Sequence, residues 1–281
     1  MTLSPPVVLS IAGFDPSSGA GVTADVKTIA AHGCYGVSCI TALTVQSTAG
    51  VRRVEAVRPE LVAETLQELN ADMSIAAVRI GMLGSGKVAQ AVADFVEKAE
   101  VGNIVLDPIM KSSSGSDLID SGGARVVVER LLPLAMVVTP NADEAAALTG
   151  IAVTNLDQMR AAATKLHAMG APSVVVTGGH LEKAIDLLSF VSSRGVQQEV
   201  FKSDRQQSNS THGTGCAFAT AMSCHLACGR GLPEAVLLAK AYVAAAIAHA
   251  HPLGQGIGPV HHLYRMHQQR RVVINDPEPV H

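Results

Sequence analysis

A histidine, two glycines and a cysteine stand together in His212-Gly213-Thr214-Gly215-Cys216, and Thr214 opens a stretch to Cys228 that reads as a helix. Successive backbone N–H groups at such a start point at one spot and bind an anion, so Gly213, Thr214 and Gly215 are candidate anion-holding residues. Cys216 falls on the first turn, where the helix field favours a thiolate suited to a base or a nucleophile. The spacing also has a packing account. Cys216, Thr220, Cys224 and Cys228 recur every four residues as a stripe of small side chains, and Cys224 and Cys228 read as core. A zinc site from Cys224, His225 and Cys228 lacks the four-ligand spacing.

The acidic candidates lie at strand ends. In TPNADE (Thr139–Glu144), Asn141 and Glu144 share a face at the start of a helix, which is also the pattern of a capping box. Asp107 ends the apolar run NIVLD, and with Glu144 it would hold magnesium directly or through water. GFDPSSGAG (Gly13–Gly21) precedes a helix and lets a ligand approach the backbone closely; it is not a GxGxxG motif. Asp25, placed on the first helical turn after that loop, either faces the same cavity or is an N-terminal acid favoured by the helix dipole. Gly81-Met-Leu-Gly-Ser-Gly86-Lys87-Val88 nearly matches a P-loop, but Val88 has no oxygen for magnesium, so a glycine turn with a solvated Lys87 is the expectation. His249, His251, His261 and His262 cluster in a Gly/Pro-rich tail and are assigned to the surface.

Positioning these groups is the task of short Val/Ile-rich runs that alternate with helical periods. VVLSIAG, AAVRIG, NIVLD, MVVT and SVVVTGG read as strands buried on both faces, which implies a parallel α/β sheet. IDLLSFVSS and VQQEVF form a hairpin at its edge, and Lys111–Asp117 is a mobile loop where open α/β sheets place ligands. Gly33 closes the first helix and Pro59 opens the next.

Composition narrows the class. The chain has 281 residues, 48% hydrophobic and 16% charged, with net charge −3. That length suits one large domain, 1–281, and the apolar content excludes a disordered chain. Apart from Arg270 and Arg271 no basic block stands out, so neither nucleic acid nor an anionic membrane has a footprint. Five cysteines without a CxxC pair suit a reducing cytoplasm.

Taken in order, IAGFDPSSGAGVTADVKT, TALTVQST, IGML, VLDPIM, TPNADEAAALTG, VVTGGH, STHGTGC and GQGIGPVHH resemble the hydroxymethylpyrimidine/phosphomethylpyrimidine kinases of thiamine biosynthesis, in the ribokinase-like superfamily. The resemblance runs nearly end to end, and pyridoxal kinases share several of the motifs. It implies a doubly wound, mostly parallel sheet with helices on both faces and a small lid over the substrate. It implies ATP-dependent phosphorylation of 4-amino-5-hydroxymethyl-2-methylpyrimidine and of its monophosphate, with pyridoxal kinase or a non-catalytic sensor as alternatives. By resemblance, Asp25 and Gln46 bond the pyrimidine, while Gly13 and Met82 line its pocket. Gly213, Thr214 and Gly215 form the anion hole, with Cys216 near the reacting alcohol. Asp107, Asn141 and Glu144 organise magnesium and phosphates; Thr177, Gly178, Gly179 and Lys240 accompany the nucleotide. Many relatives carry lysine where this chain has Thr177, and Lys111 is a candidate replacement cation. A cytoplasmic homodimer, joined through the strand region after Gly33, completes the expectation.

Overall fold

The computed structural model describes residues 4–266 except 112–114, 116, 180–183, 204, 205 and 207. Arg270 and Arg271, and much of the Lys111–Asp117 loop, therefore lie outside the described residues.

Nine strands form one sheet in the order β3-β2-β1-β4-β5-β6-β7-β8-β9. In chain order, β1 (Val7–Phe14) and α1 (Gly21–Ala31) precede the hairpin of β2 (Tyr35–Ser47) and β3 (Gly50–Ala56). Then come α2 (Pro59–Asp72), β4 (Ile75–Ile80), α3 (Gly86–Lys98) and β5 (Ile104–Leu106). Next, α4 (Ser121–Val126) passes through a π-helical turn (Val127–Leu131) into α5 (Leu132–Leu134). The second half holds β6 (Val137–Val138), α6 (Ala142–Thr149), α7 (Leu156–Ala168) and β7 (Ser173–Gly178), then β8 (Ala184–Ser192), β9 (Gly195–Ser203), α8 (Thr214–Ala227) and α9 (Leu232–Ala248).

From β2 through β1, β4, β5 and β6 to β7 neighbouring strands run parallel, and β3 and β8 are antiparallel to their inner neighbours. The late hairpin supplies an antiparallel edge as expected. The antiparallel β3 makes a second one that the sequence reading did not foresee. Strand alternation assigns the two faces. Leu9, Ile11, Val78 and Ile80 pack with residues of α2, α3 and α7, whereas Val8 and Ala77 join Ile29 of α1 and Cys224 of α8. Residues of α8 and α9 pack over Val105, Val137 and Val175 on that second face.

The chain reverses its strand order between β1 and β4, and the loops after β1, β4, β5, β6 and β7 open at one sheet edge, where such folds place ligands. The end of the β2–β3 hairpin covers this edge as an extension of the sheet. Its tip is pinned by Ile257 N–H donating to the Thr48 carbonyl at 3.0 Å. His262 departs from the surface expectation. It is 3% exposed, and its ring bridges the Gly19 carbonyl (3.1 Å) and Thr28 Oγ1 (3.3 Å), fixing the loop before α1.

Candidate active site

At the C-terminal ends of the strands lies a cavity of about 610 Å³. All the predicted site residues line it except Asp25 and Gly178. Gln46 and Met82 lie on its walls with Gly13, Gly213–Cys216 lie at one end of α8, and Asp107, Asn141 and Glu144 lie at the ends of β5 and β6. Thr177, Gly179 and Lys240 complete the lining on the β7 side.

Two glycine-rich loops build the anion-holding end. Asp15 accepts from the N–H of Ser17 (2.8 Å) and of Ala20 (2.9 Å), and it meets the His212 ring at 2.8 Å. Burial raises the Asp15 carboxyl, but the hydrogen bonds from His212, Ser17 and Ala20 outweigh it and hold the pKa below the ordinary value. The loops touch so closely that a Cβ on Gly213, which has φ +83°, would overlap the Gly19 carbonyl oxygen. Among the described residues no side chain caps α1 or α8, and residues of both N-termini line the cavity. Their uncapped N–H groups and positive dipole ends suit an anion. The Thr214 N–H, one of the three predicted donors, has a 3.3 Å bond to the Thr211 carbonyl.

The floor of the cavity includes Arg79, the 0% exposed centre of a buried charge network. Ser10 and Arg79 are neighbours in the β1–β4 register, on the face covered by α1 and α8. The guanidinium sits 3.3 Å from Asp25 Oδ2 and 2.7 Å from Asp107 Oδ2. Gly81 makes the space, since a Cβ there would run into the guanidinium. Among the described residues, Nε and Nη1 of Arg79 find no well-aligned oxygen acceptor, although Nη1 is the atom 3.3 Å from Asp25.

This network corrects the reading of Asp25. It lies one turn inside α1, fully buried, and accepts from Ser10 Oγ (2.6 Å) and Thr220 Oγ1 (2.7 Å). With both oxygens engaged below the cavity, it anchors Arg79 and is not placed to read a ligand edge. Gly178 is likewise structural: its N–H donates to Asp186 Oδ1 at 3.0 Å, and Asp186 Oδ2 meets Lys240 Nζ at 2.6 Å. Lys240 thus reaches the cavity already paired, as does Lys111, 3.8 Å from Asp117.

Cys216 is also corrected. It is 7% exposed, and burial pushes its thiol up to about 11 despite the nearby Arg79 charge, with Asp25 and Asp107 adding to the rise. Burial outweighs the pull of the Arg79 charge and of the Gly21 N–H, which disfavours the thiolate expected from the helix start. Cys216→Ser should therefore keep kcat within about tenfold of the parent; a loss of roughly 10²–10⁴-fold, the range for removing a general base, would restore the base reading. Cys224 is core at 1% exposure, but Cys228, at the end of α8, is exposed.

Asn141 and Glu144 form the expected capping box (3.0 and 2.9 Å). Glu144 also lines the cavity, and burial followed by the Asp107 charge pushes it up to about 8. Burial pushes Asp107 up to about 6 against the pull of Arg79. Two carboxylates that each raise the cost of charge in one cavity suit a cation between them. Among the described residues no group of three or more His, Cys, Asp or Glu is placed to hold a metal, so such a cation would need ligands from phosphate or water.

The P-loop look-alike is a plain turn. Ser85 caps α3 by accepting from Val88 N–H, Asp120 takes the Gly86 N–H, and exposed Lys87 borders an open surface groove rather than the cavity. The sequence reading missed Arg79, Asp186 and the His212–Asp15 pair. Arg79 had a signal, a lone charge inside the buried strand AAVRIG; Asp186 in the edge hairpin had none.

A doubly wound sheet with glycine-rich turns and uncapped helix ends around a cavity defines a small-molecule kinase of the ribokinase-like fold. Residues 15–261 match the model of the phosphomethylpyrimidine kinase family, and the chain belongs to that family. It is 39% identical over 257 residues to a hydroxymethylpyrimidine/phosphomethylpyrimidine kinase of Haemophilus influenzae, covering 91% of this chain and 96% of the relative. It is 43% identical over 258 residues to a bifunctional thiamine biosynthesis protein of Geobacter sulfurreducens, covering 91% of this chain but spanning only 52% of that longer protein. Among solved structures it resembles a Bacillus subtilis pyridoxal kinase bound to ADP, with TM-score 0.84, 33% identity, and 94% and 100% of the two chains covered. Among the described residues no helix is long and apolar enough to cross a membrane.

Proposed function

We propose that the chain, as one domain, transfers the γ-phosphate of ATP to the primary alcohol of 4-amino-5-hydroxymethyl-2-methylpyrimidine and then phosphorylates the monophosphate, in thiamine diphosphate biosynthesis. The observation that carries this reading is that an amide side chain and a soft apolar wall share one cavity with an uncapped glycine turn and two carboxylates. Phosphoryl transfer asks the protein chiefly to align the alcohol, stabilise the developing charge and exclude water.

Gln46 offers a donor and an acceptor to an aminopyrimidine edge. Its Oε1 accepts from Thr44 Oγ1 at 3.2 Å, and its Nε2 lies 3.4 Å from the His212 ring, so the amide is oriented before a ligand arrives. Met82 packs against Gly13, where a Cβ would meet its sulfur at 2.8 Å, and provides a polarisable wall for a flat ring. The Gly213–Gly215 turn holds the transferring phosphoryl group, and Cys216 packs beneath it as a thiol. Thr177, Gly179 and Lys240 border the nucleotide; the Thr177 N–H already donates to the Pro140 carbonyl at 2.9 Å, so no backbone amide of Thr177 or Gly178 replaces the cation that Thr177 lacks. Asp107 and Glu144 would hold magnesium, with phosphate or water as further ligands, and it would supply charge neutralisation for the phosphates. The alcohol proton needs little help in a loose transition state.

Pyridoxal kinase is the second reading, favoured by the likeness to the Bacillus subtilis enzyme. The proposal also includes a cytoplasmic setting and a homodimer through β2, whose Leu43 and Val45 are 50% and 49% exposed. No contact with nucleic acid or membrane enters it.

Gln46→Ala tests the pyrimidine assignment. Leaving ligand polar atoms unpaired costs roughly 1–3 kcal/mol, so KM for the pyrimidine should rise about 5- to 150-fold while KM for ATP stays put. Equal changes in both constants, or none, would remove Gln46 from the substrate edge.

A further inference from the structure

Three thiols converge away from the cavity. Cys34 follows the end of α1, and Cys224 and Cys228 lie one turn apart at the end of α8. Cys34 Sγ is 3.9 Å from Cys228 Sγ. The two helices are packed against each other there, with Cys34, Ile29 and Cys224 in one apolar cluster. Access is graded: Cys228 is exposed, Cys34 is 8% exposed and Cys224 is 1% exposed.

We propose that Cys34 and Cys228 are a reversible oxidation site, closing to an intramolecular disulfide when the protein meets a hydroperoxide. The sulfurs are in contact without being bonded, so the bridge needs a small approach of two side chains on a preformed helix pair. The partners also differ in reactivity. Hydrogen bonding from Cys224, and then from Cys228, outweighs burial and lowers Cys34 to about 7, whereas Cys228 is raised by burial and by the neighbouring Cys34. A thiol lowered by its neighbours, in contact with an accessible one, is an arrangement that thiol oxidation favours.

In the first step the Cys34 thiolate attacks a peroxide oxygen. An S–O bond forms, the O–O bond breaks, and the leaving oxygen takes a proton to depart as alcohol or water. In the second, Cys228 sulfur attacks the sulfenic sulfur. The S–S bond forms, the S–O bond breaks, and hydroxide leaves with the thiol proton as water. The two thiols together lose two electrons and the peroxide gains two. A dithiol such as dithiothreitol reverses the change by exchange. The bridge would join the C-terminal ends of two helices whose N-terminal ends line the cavity, so it marks α1 and α8 without altering a lining residue.

The full chain treated with hydrogen peroxide, then alkylated in denaturant and digested without reduction, reports the outcome by peptide mass. The expected product is the Cys34 peptide joined to the Cys228 peptide, lighter than their sum by two hydrogens and released by dithiothreitol. Cys39 and Cys216 should be alkylated as in untreated protein, and Cys224→Ser should still form the bridge. The proposal is overturned if Cys34 and Cys228 both remain alkylated, if Cys34 pairs with Cys224, or if Cys228 is carried only to sulfinic acid or bridges two chains.

Discussion

Arg79→Met should lower unfolding stability by about 3–5 kcal/mol, the range for removing one partner of a buried ion pair. Urea denaturation followed by circular dichroism measures it. The side-chain volume is nearly kept, so the loss reports charge. Without the guanidinium, Asp25 and Asp107 become two buried carboxylates with no cation between them, under a helix whose Thr220 is already committed to Asp25. Protonation of one acid limits the damage, and adding Asp25→Asn to the variant should recover part of the lost stability. Turnover should be lost with Arg79 as well, because Asp107 would lose the partner that orients its Oδ2 at 2.7 Å. A stability change below about 1 kcal/mol would mean that the network contributes little to holding the site.

The second large effect is expected from Gly213→Ala, with Gly215→Ala as its control. Alanine at 213 must adopt φ near +83° and push its Cβ into the Gly19 carbonyl, so the two loops have to separate. Gly215 lacks a positive φ, and a Cβ there meets nothing within 4 Å. Losing an aligned oxyanion-type donor costs roughly 10²–10³ in kcat. Gly213→Ala should lose about that much in steady-state assays, and Gly215→Ala, which keeps the contact between the loops but adds a methyl to the cavity lining, should lose less. If the two variants behave alike, the contact between the glycine loops does not set the anion-holding geometry.

Why some of this was legible in the sequence and some was not follows from the range of each interaction. Strands with period-two or continuous Val/Ile patterns, the capping box at Asn141 and Glu144, and the missing hydroxyl at Val88 are local properties, and local chemistry decides them. The end of each parallel strand was equally readable and located Asp107, Asn141 and Glu144 at one edge, whereas Thr177 entered only through the family resemblance. Asp25 was misplaced because its position relative to the cavity depends on Arg79 and Thr220, far away in sequence. Cys216 was misjudged because the helix field is local while desolvation is tertiary, and burial is the largest influence on this thiol. The exposed Cys228 and the buried His262 show the same limit, since a four-residue stripe and a Gly/Pro-rich tail say nothing about which neighbour covers their ends.

Side-by-side turnover of the purified chain with ATP and magnesium, on hydroxymethylpyrimidine and on pyridoxal, tests the central claim most directly. The account predicts that kcat/KM for the pyrimidine exceeds that for pyridoxal by about tenfold or more, a difference of ~1.4 kcal/mol in transition-state binding. Equal values, or a preference for pyridoxal, would contradict it.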